Sequence, residues 1–172
     1  MKFWLFSLML LSQFANAKVQ YLSDTGFILE NRVQVSTSAD KSWQLMVEDV
    51  GNWWPQDHTW WGQASNLSIE AKAGGCFCEI SGDKQAMHMQ VVFVEPGKLL
   101  RMTGGLGPLQ GMGLYGALDW QFNTNDKGTE IILSYKVHGT SAKGFAELAP
   151  IVDHVQSLQL GGLADYLNSG HK

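Results

Sequence analysis

Cysteine and proline are scarce in this 172-residue chain, which contains two cysteines and four prolines. Two cysteines cannot build the disulfide framework that stabilises many small secreted domains. Cys76 and Cys78 form a Cys-x-Cys pair, which supplies too few thiolates for a structural zinc site. After the first eleven residues, no apolar run approaches the roughly 18 residues of a membrane-spanning helix. We therefore expect no stable membrane insertion.

Positive charge is also sparse and is never concentrated. Twelve Lys and Arg residues are set against 16 Asp and Glu residues, and the formal net charge is −4. The basic residues are scattered, so no cluster could neutralise several phosphates at once. This distribution argues against a nucleic-acid partner and against binding to an anionic membrane surface.

Signatures of metal and cofactor sites are missing from the sequence. The histidines include no pair at the i, i+4 spacing of a helical metal site and no His-x-His pair. Residues 104–116 contain six glycines, but they lack the Gly-Lys-Ser/Thr motif of a phosphate loop. We expect no metal and no cofactor, and interpret this stretch as a sharp turn or as a flexible gate at the rim of a cavity.

The first seventeen residues have the pattern of a secretory signal peptide. Lys2 precedes an apolar run from Phe3 to Leu11, and the segment ends in Ala15-Asn16-Ala17. A basic start, a short apolar core and small residues before the cleavage point are typical of such signals. We expect cleavage after Ala17, a secreted or periplasmic location, and a single domain over residues 18–172; an uncleaved anchor over residues 1–17 is the alternative.

Hydrophobic periodicity in the rest of the chain predicts an α+β fold. A helix is expected after Ser38 or Asp40, and a long amphipathic helix over residues 146–167. Period-two alternation between turn signals predicts seven strands. These strands are 27–36, 66–71, 76–81, 87–95, 98–104, 115–123 and 129–138. Short connections favour an antiparallel sheet that curves around the C-terminal helix, in the order β-α-α-β6-α.

Three segments resemble a known superfamily. They are GGCFCEI at 74–80, VVFVEPGKLLRMTGGLGPLQ at 91–110 and GALDWQF at 116–122. With the order of elements over residues 27–167, they resemble the SRPBCC superfamily. This helix-grip group includes START lipid-transfer domains and polyketide cyclases. The spacing is most similar to the branch of heat-shock chaperone ATPase activator homologues. The resemblance implies a hydrophobic cavity between sheet and long helix, but no shared catalytic set.

Tryptophans are concentrated in one part of the sequence, since five of the seven lie between residues 43 and 61. They can cover the open end of the sheet as core, or line a cavity mouth or an interaction surface. Methionines in the strand 87–95 suit a cavity that accepts varied ligands, although core packing explains them equally well. The predicted ligand-binding residues are Trp53, Trp54, Trp60, Trp61, Met87, Met89, Met112, Trp120, Tyr135, Val155, Leu158 and Gly162.

Two residues are weak candidates for acid–base chemistry. His58 follows Asp57 inside the tryptophan-rich segment, where it could act as a base. Glu79 lies in the strand 76–81, where either Cys76, Cys78 and Ile80 or the alternate set with Phe77 faces inward. If Phe77 and Glu79 face inward, the carboxylate lies over the pocket. Because ideal strand geometry disfavours a bridge between Cys76 and Cys78, we expect both to be free, buried thiols.

The sequence therefore predicts an exported, cofactor-free protein that binds a hydrophobic small molecule or lipid between the sheet and the C-terminal helix. Two alternatives stay open. One is a cyclase- or hydratase-type enzyme that uses the same cavity, with His58 or Glu79 as acid or base. The other is an interaction module that uses a tryptophan-rich surface. Neither the ligand nor the oligomeric state follows from the sequence.

Overall fold

The computed structural model describes residues 18–170, so the proposed signal peptide lies outside the described residues. Within that range, eight strands form one antiparallel sheet in the order β1-β2-β8-β7-β6-β5-β4-β3. The strands are β1 Lys18–Ser23, β2 Gly26–Val35, β3 Leu67–Ile69, β4 Cys76–Ser81, β5 Lys84–Glu95, β6 Leu99–Gly104, β7 Tyr115–Asn125 and β8 Gly128–His138. The predicted α+β helix-grip fold is confirmed, with β1 added to the seven expected strands.

The helices occupy the positions expected for a helix-grip fold. They are α1 Ala39–Glu48, α2 Val50–Trp53, α3 Pro108–Gly111 and the long C-terminal α4 Leu148–Asn168. Ser38 caps α1, because its side-chain oxygen accepts a hydrogen bond from the Lys41 N–H at 3.4 Å. Two single 3₁₀ turns, Gln56–His58 and Ala64–Asn66, connect α2 to β3. In the described part of the chain, no helix has the length and apolar character needed to cross a membrane.

The core lies between the concave face of the sheet and the helices. Trp53 and Trp120 are both buried and meet edge to face, with ring centroids 5.6 Å apart. The indole N–H of Trp53 donates to the Met46 carbonyl oxygen at 3.1 Å. Met89 is fully buried in the same core. These three predicted ligand-binding residues, Trp53, Met89 and Trp120, are therefore core residues.

The inward face of α4 differs from the predicted apolar stripe. Ile151 and Leu158 are 60% and 43% exposed, whereas Gln156 and Gln159 are buried. Gly162 packs against the end of α2, where an added Cβ would lie 2.5 Å from the Trp53 carbonyl oxygen. Leu158 is thus a surface residue, and Gly162 permits close packing between helices instead of leaving room for a ligand.

A β-bulge in β5 reverses part of the predicted alternation. Phe77 pairs with Met89 but Cys78 pairs with Met87, which leaves His88 as the extra residue. His88 and Met89 are consequently both buried, while Met87 is half exposed on the outer face. A bulge of this kind re-aims side chains that strict alternation would place elsewhere. The expectation that Met87 lines the cavity is wrong for this reason.

The two cysteines form a disulfide bond, so the prediction of free thiols is wrong. Their Cα atoms are 5.4 Å apart, inside the usual disulfide range of roughly 4.4–6.8 Å. The bulge opposite this pair increases the local twist, and the distance falls below the value for an ideal extended strand. Phe77 and Glu79 take the inner face, which leaves both cysteines partly exposed.

Candidate functional site

A cavity of about 370 Å³ lies between the first half of α4, the sheet and two connecting segments. One segment runs from Trp54 to Trp60, and the other is the glycine-rich connection 105–114, here called the rim loop. Most of the wall is apolar. Its aliphatic part comprises Leu106, Leu109 and Met112 of the rim loop and Leu148, Ile151, Val152 and Val155 of α4. The rim loop, interpreted from the sequence as a turn or gate, contributes three of these seven side chains.

The cavity wall includes some of the predicted site residues. The predicted residues that line it are Trp54, His58, Trp60, Met112, Tyr135 and Val155. The predicted residues outside the wall are Trp53, Trp61, Met87, Met89, Glu79, Trp120, Leu158 and Gly162. Glu79 lies directly behind the wall and contacts a residue that belongs to it. The assignment of ligand binding to the lining residues stays a prediction.

Glu79 and His88 form a buried pair at the base of the cavity. The Glu79 side chain is fully buried, and its Oε2 lies 3.2 Å from His88 Nε2. The same carboxylate accepts backbone N–H groups from Trp60 at 2.9 Å and Trp61 at 3.0 Å. Three donors around one carboxylate satisfy its charge away from water. Glu79 thereby fixes both the tryptophan-rich segment and the histidine ring.

His88 is held as a neutral imidazole. Burial lowers the pKa of His88 below its ordinary value of 6.5, and this effect exceeds the opposing attraction of the Glu79 carboxylate. Because a carboxylate only accepts hydrogen bonds, Nε2 carries the proton that is donated to Glu79. Nδ1 makes no hydrogen bond to any residue in the range 18–170. His88 therefore lines the cavity with Nε2 bonded to Glu79 and with Nδ1 available as a hydrogen-bond acceptor.

Gln156 is the other unusual polar group of the cavity. Its side chain is 1% exposed, lines the cavity from α4, and has no hydrogen-bond partner for either Nε2 or Oε1 among the described residues. Gln159, one turn further along α4, is also buried and lines the same wall. An unpaired buried amide costs about 1–3 kcal/mol. Such a cost is tolerated where a ligand supplies the missing partners.

His58 lies at the opposite side of the wall, in the segment after α2. The Trp54 indole N–H donates to the His58 carbonyl oxygen at 3.0 Å, which fixes the backbone of this turn. His58 Nδ1 is buried without a partner within the described chain. The sequence identified His58 as a candidate, and the structure places it in the same cavity as His88.

Tyr135 anchors the rim loop to the sheet. Its hydroxyl donates to the Gly104 carbonyl oxygen and accepts from the Leu106 N–H, both at 3.0 Å. Burial raises the pKa of Tyr135 to about 12, so the phenol stays protonated and keeps its donor. The ring lines the cavity while the hydroxyl is fully used in holding the loop.

Sequence reasoning missed the two polar residues that define the site. Strict alternation with Met87 and Met89 puts His88 on the opposite face, because it assumes a regular strand and no glycine marks the bulge. The polar character of Gln156 favours the solvent-facing side of an amphipathic helix. The signal that could have found it is helical spacing, since Val152 and Gln159 at four and three positions away also line the wall. Among residues 18–170, no group of three His, Cys, Asp or Glu side chains could hold a metal ion.

No family model and no curated protein matches this sequence. Solved structures do match it. CalU16 from Micromonospora echinospora is 14% identical with a TM-score of 0.58, over 93% of this chain and 88% of that one. The Aha1 dimer from Colwellia psychrerythraea is 16% identical with a TM-score of 0.58, over 84% and 98%.

DynU16, a protein of the dynemicin biosynthetic locus, is 18% identical with a TM-score of 0.60, over 86% of this chain and 48% of that one. The chain has a helix-grip fold. At this level of identity the likeness shows the fold alone, and the function has to be argued from the cavity.

Proposed function

We propose that this protein is an exported carrier that binds an apolar small molecule or lipid with one uncharged polar group. The cavity between α4, the rim loop and the tryptophan-rich segment receives the apolar part. A volume of about 370 Å³ lies within the range of roughly 300–1,000 Å³ that is typical of small-molecule sites. The aliphatic wall supplies the binding free energy through burial of apolar surface.

The unpaired amide of Gln156 carries this proposal. Both of its polar atoms are buried without a partner in the described chain, and the residue belongs to the cavity wall. An amide offers one donor group and one acceptor, so it matches a hydroxyl, an amide or a carbonyl. No Lys or Arg side chain belongs to the cavity wall to pair with an anionic head group. A neutral head group therefore suits the site better than a carboxylate.

Export rests on the sequence of residues 1–17, a basic start and an apolar run that ends in Ala-Asn-Ala. N-terminal sequencing of protein collected outside the cytoplasm is expected to begin at Lys18. A sequence that begins at Met1 contradicts the proposal.

The branch of heat-shock chaperone ATPase activator homologues remains our proposed placement within the superfamily. Its support is the spacing of the three sequence segments and the likeness to the Aha1 structure. A co-chaperone role does not accompany this placement, because export removes the chain from cytosolic partners. A tryptophan-rich interaction surface has less support, since Trp53 and Trp54 are 4% and 7% exposed.

Binding is tested with a neutral fluorescent dye, N-phenyl-1-naphthylamine, and two matched competitors. We expect saturable dye binding, and stronger displacement by decan-1-ol than by decanoate, because only the alcohol can pair with Gln156 without burying a charge. Gln156→Leu is expected to weaken displacement by the alcohol about tenfold, which corresponds to roughly one hydrogen bond. Gln85→Leu changes an exposed glutamine of β5 and serves as the matched control.

The same variant separates a binding role from a structural one. Without ligand, Gln156→Leu removes an unsatisfied buried amide, so its free energy of unfolding is expected to equal or exceed that of the wild type. A Gln156→Leu variant that has a lower free energy of unfolding than the wild type, and that still prefers decan-1-ol to decanoate, contradicts the proposal. Absence of saturable dye binding by the wild type contradicts it as well.

A further inference from the structure

The Glu79–His88 pair has a feature that a purely structural role does not explain. Glu79 alone would suffice to hold the Trp60 and Trp61 N–H groups. The bulge in β5 nevertheless turns His88 inward and places its ring in the cavity wall. One ring nitrogen is oriented by the carboxylate, and the other makes no hydrogen bond within residues 18–170. A base oriented through its second nitrogen by a carboxylate is a recurrent arrangement in catalysis.

The cavity also contains a donor suited to a developing negative charge. The amide N–H groups of Gln156 have no partner in the described chain and lie in the same wall as His88. Such a donor, held in a largely apolar cavity, stabilises an oxyanion more strongly than water does. We propose that His88 is a general base that removes a proton from the carbon next to a carbonyl group of a bound ligand, with Glu79 as positioning residue and Gln156 as oxyanion donor. This inference rests on the proposed binding function.

The proton transfer is balanced without a co-reactant. The lone pair of His88 Nδ1 takes the α-proton of a ketone, and the C–H electron pair forms the carbon–carbon double bond of the enolate. The carbonyl π electrons move to the oxygen, which accepts a hydrogen bond from Gln156. Return of a proton to carbon restores the ketone and the neutral imidazole. When the imidazolium exchanges its Nδ1 proton with solvent before that return, the net result is exchange of the α-hydrogen with water.

Other groups around His88 do not duplicate its role. Glu79 on β4 is occupied by three donors, and Tyr135 on β8 uses its hydroxyl to hold the rim loop. Asp57 and His58 line the cavity from the 3₁₀ turn after α2. The cavity-facing residues of α4 include no ionisable side chain. Asp57 and His58 are therefore the competing bases in the described wall, and the experiment includes His58.

The test is hydrogen–deuterium exchange at the α-carbons of 2-tetralone, a small apolar ketone, followed by NMR in D₂O. We expect the wild type to accelerate exchange saturably, and His88→Gln to lose at least about 100-fold of the protein-dependent rate. The glutamine keeps an N–H for Glu79 but has no basic nitrogen. His154→Gln alters an exposed histidine of α4 and is expected to leave the rate unchanged. His58→Gln tests the competing base, and a loss as large as that of His88→Gln overturns the assignment of the base to His88.

Dye binding measured on the same samples separates this inference from the proposed binding function. Saturable dye binding with no acceleration of exchange, or with equal rates for wild type and a folded His88→Gln, overturns the inference and leaves the carrier function intact. No dye binding overturns both. If His88→Gln does not fold, Gln156→Leu decides. A folded Gln156→Leu with the wild-type exchange rate overturns the inference, because the enolate oxygen has then lost no donor.

Discussion

Two buried polar side chains of this protein differ in whether their polar atoms have hydrogen-bond partners. Glu79 has a donor for each of its oxygens, whereas Gln156 has none among residues 18–170. The buried Glu79 carboxylate fixes the chain around it through its hydrogen bonds. The buried Gln156 amide carries a free-energy cost that a ligand with hydrogen-bonding atoms would remove. The two residues lie on opposite sides of the cavity region, on β4 and α4.

The protonation of His88 gives a stability prediction with a definite sign. Because burial lowers its pKa in the folded state, both states are neutral above pH 6.5 and the full contribution to stability is present there. As the pH falls below 6.5, the unfolded chain takes up a proton that the folded chain does not, and stability declines. Urea denaturation at pH 7.5 and 5.5 is expected to show a loss that His88→Gln reduces. An equal loss in both proteins would contradict the stated pKa direction.

At the scale of secondary-structure elements, α4 combines two different contacts along one helix. Its first half faces the cavity, and its second half packs on α2 through Gly162. The sequence predicted the helix itself from its periodicity, and Pro150 lies in its first turn, where a missing N–H costs little. Its inward face was misassigned, because a cavity wall accepts polar residues that a packed core excludes. Periodicity identifies a helix more reliably than it identifies what the helix faces.

Adjacent glycines in α4 provide a matched pair of substitutions. Gly162→Ala places a Cβ 2.5 Å from the Trp53 carbonyl oxygen, so the helices must separate, and we expect a loss of about 1–3 kcal/mol in the free energy of unfolding. A Cβ at Gly161 meets nothing within 4 Å. Gly161→Ala should therefore gain about 0.5–1 kcal/mol from helix propensity. Thermal or urea denaturation of both variants measures the difference, and a stabilised Gly162→Ala would refute the close approach.

The whole molecule follows the order of elements that the sequence predicted, with differences at particular points. Alternation identified seven strands, but β1 was not anticipated so close to the proposed signal peptide. The bulge at His88 and the disulfide opposite it were both missed, since each depends on the twist of paired strands. Local patterns therefore predicted the scaffold. They did not predict the candidate site, because it depends mainly on contacts between strands that are distant from α4 in the sequence.

The disulfide leads to a prediction for the intact protein. Both cysteines of the sequence are paired, so thiol titration under denaturing, non-reducing conditions is expected to give no free thiol per chain. A bridge that closes so short a loop constrains the unfolded chain little, and its reduction should lower stability by no more than about 2 kcal/mol. Titration before and after reduction, with urea denaturation of both forms, checks the prediction. Two thiols before reduction would show that the bridge is absent.

The construction of the cavity also has a consequence for how long the protein survives. Its wall is assembled from residue 54 to residue 159, including strands, a connecting loop and the C-terminal helix. A ligand can contact all of these parts only in a state in which the C-terminal helix has docked on the sheet. Interactions that are absent from the folding transition state slow unfolding and leave the folding rate unchanged. Occupancy should therefore lengthen the lifetime of the folded chain in the presence of proteases, and the ligand-free protein would be degraded first.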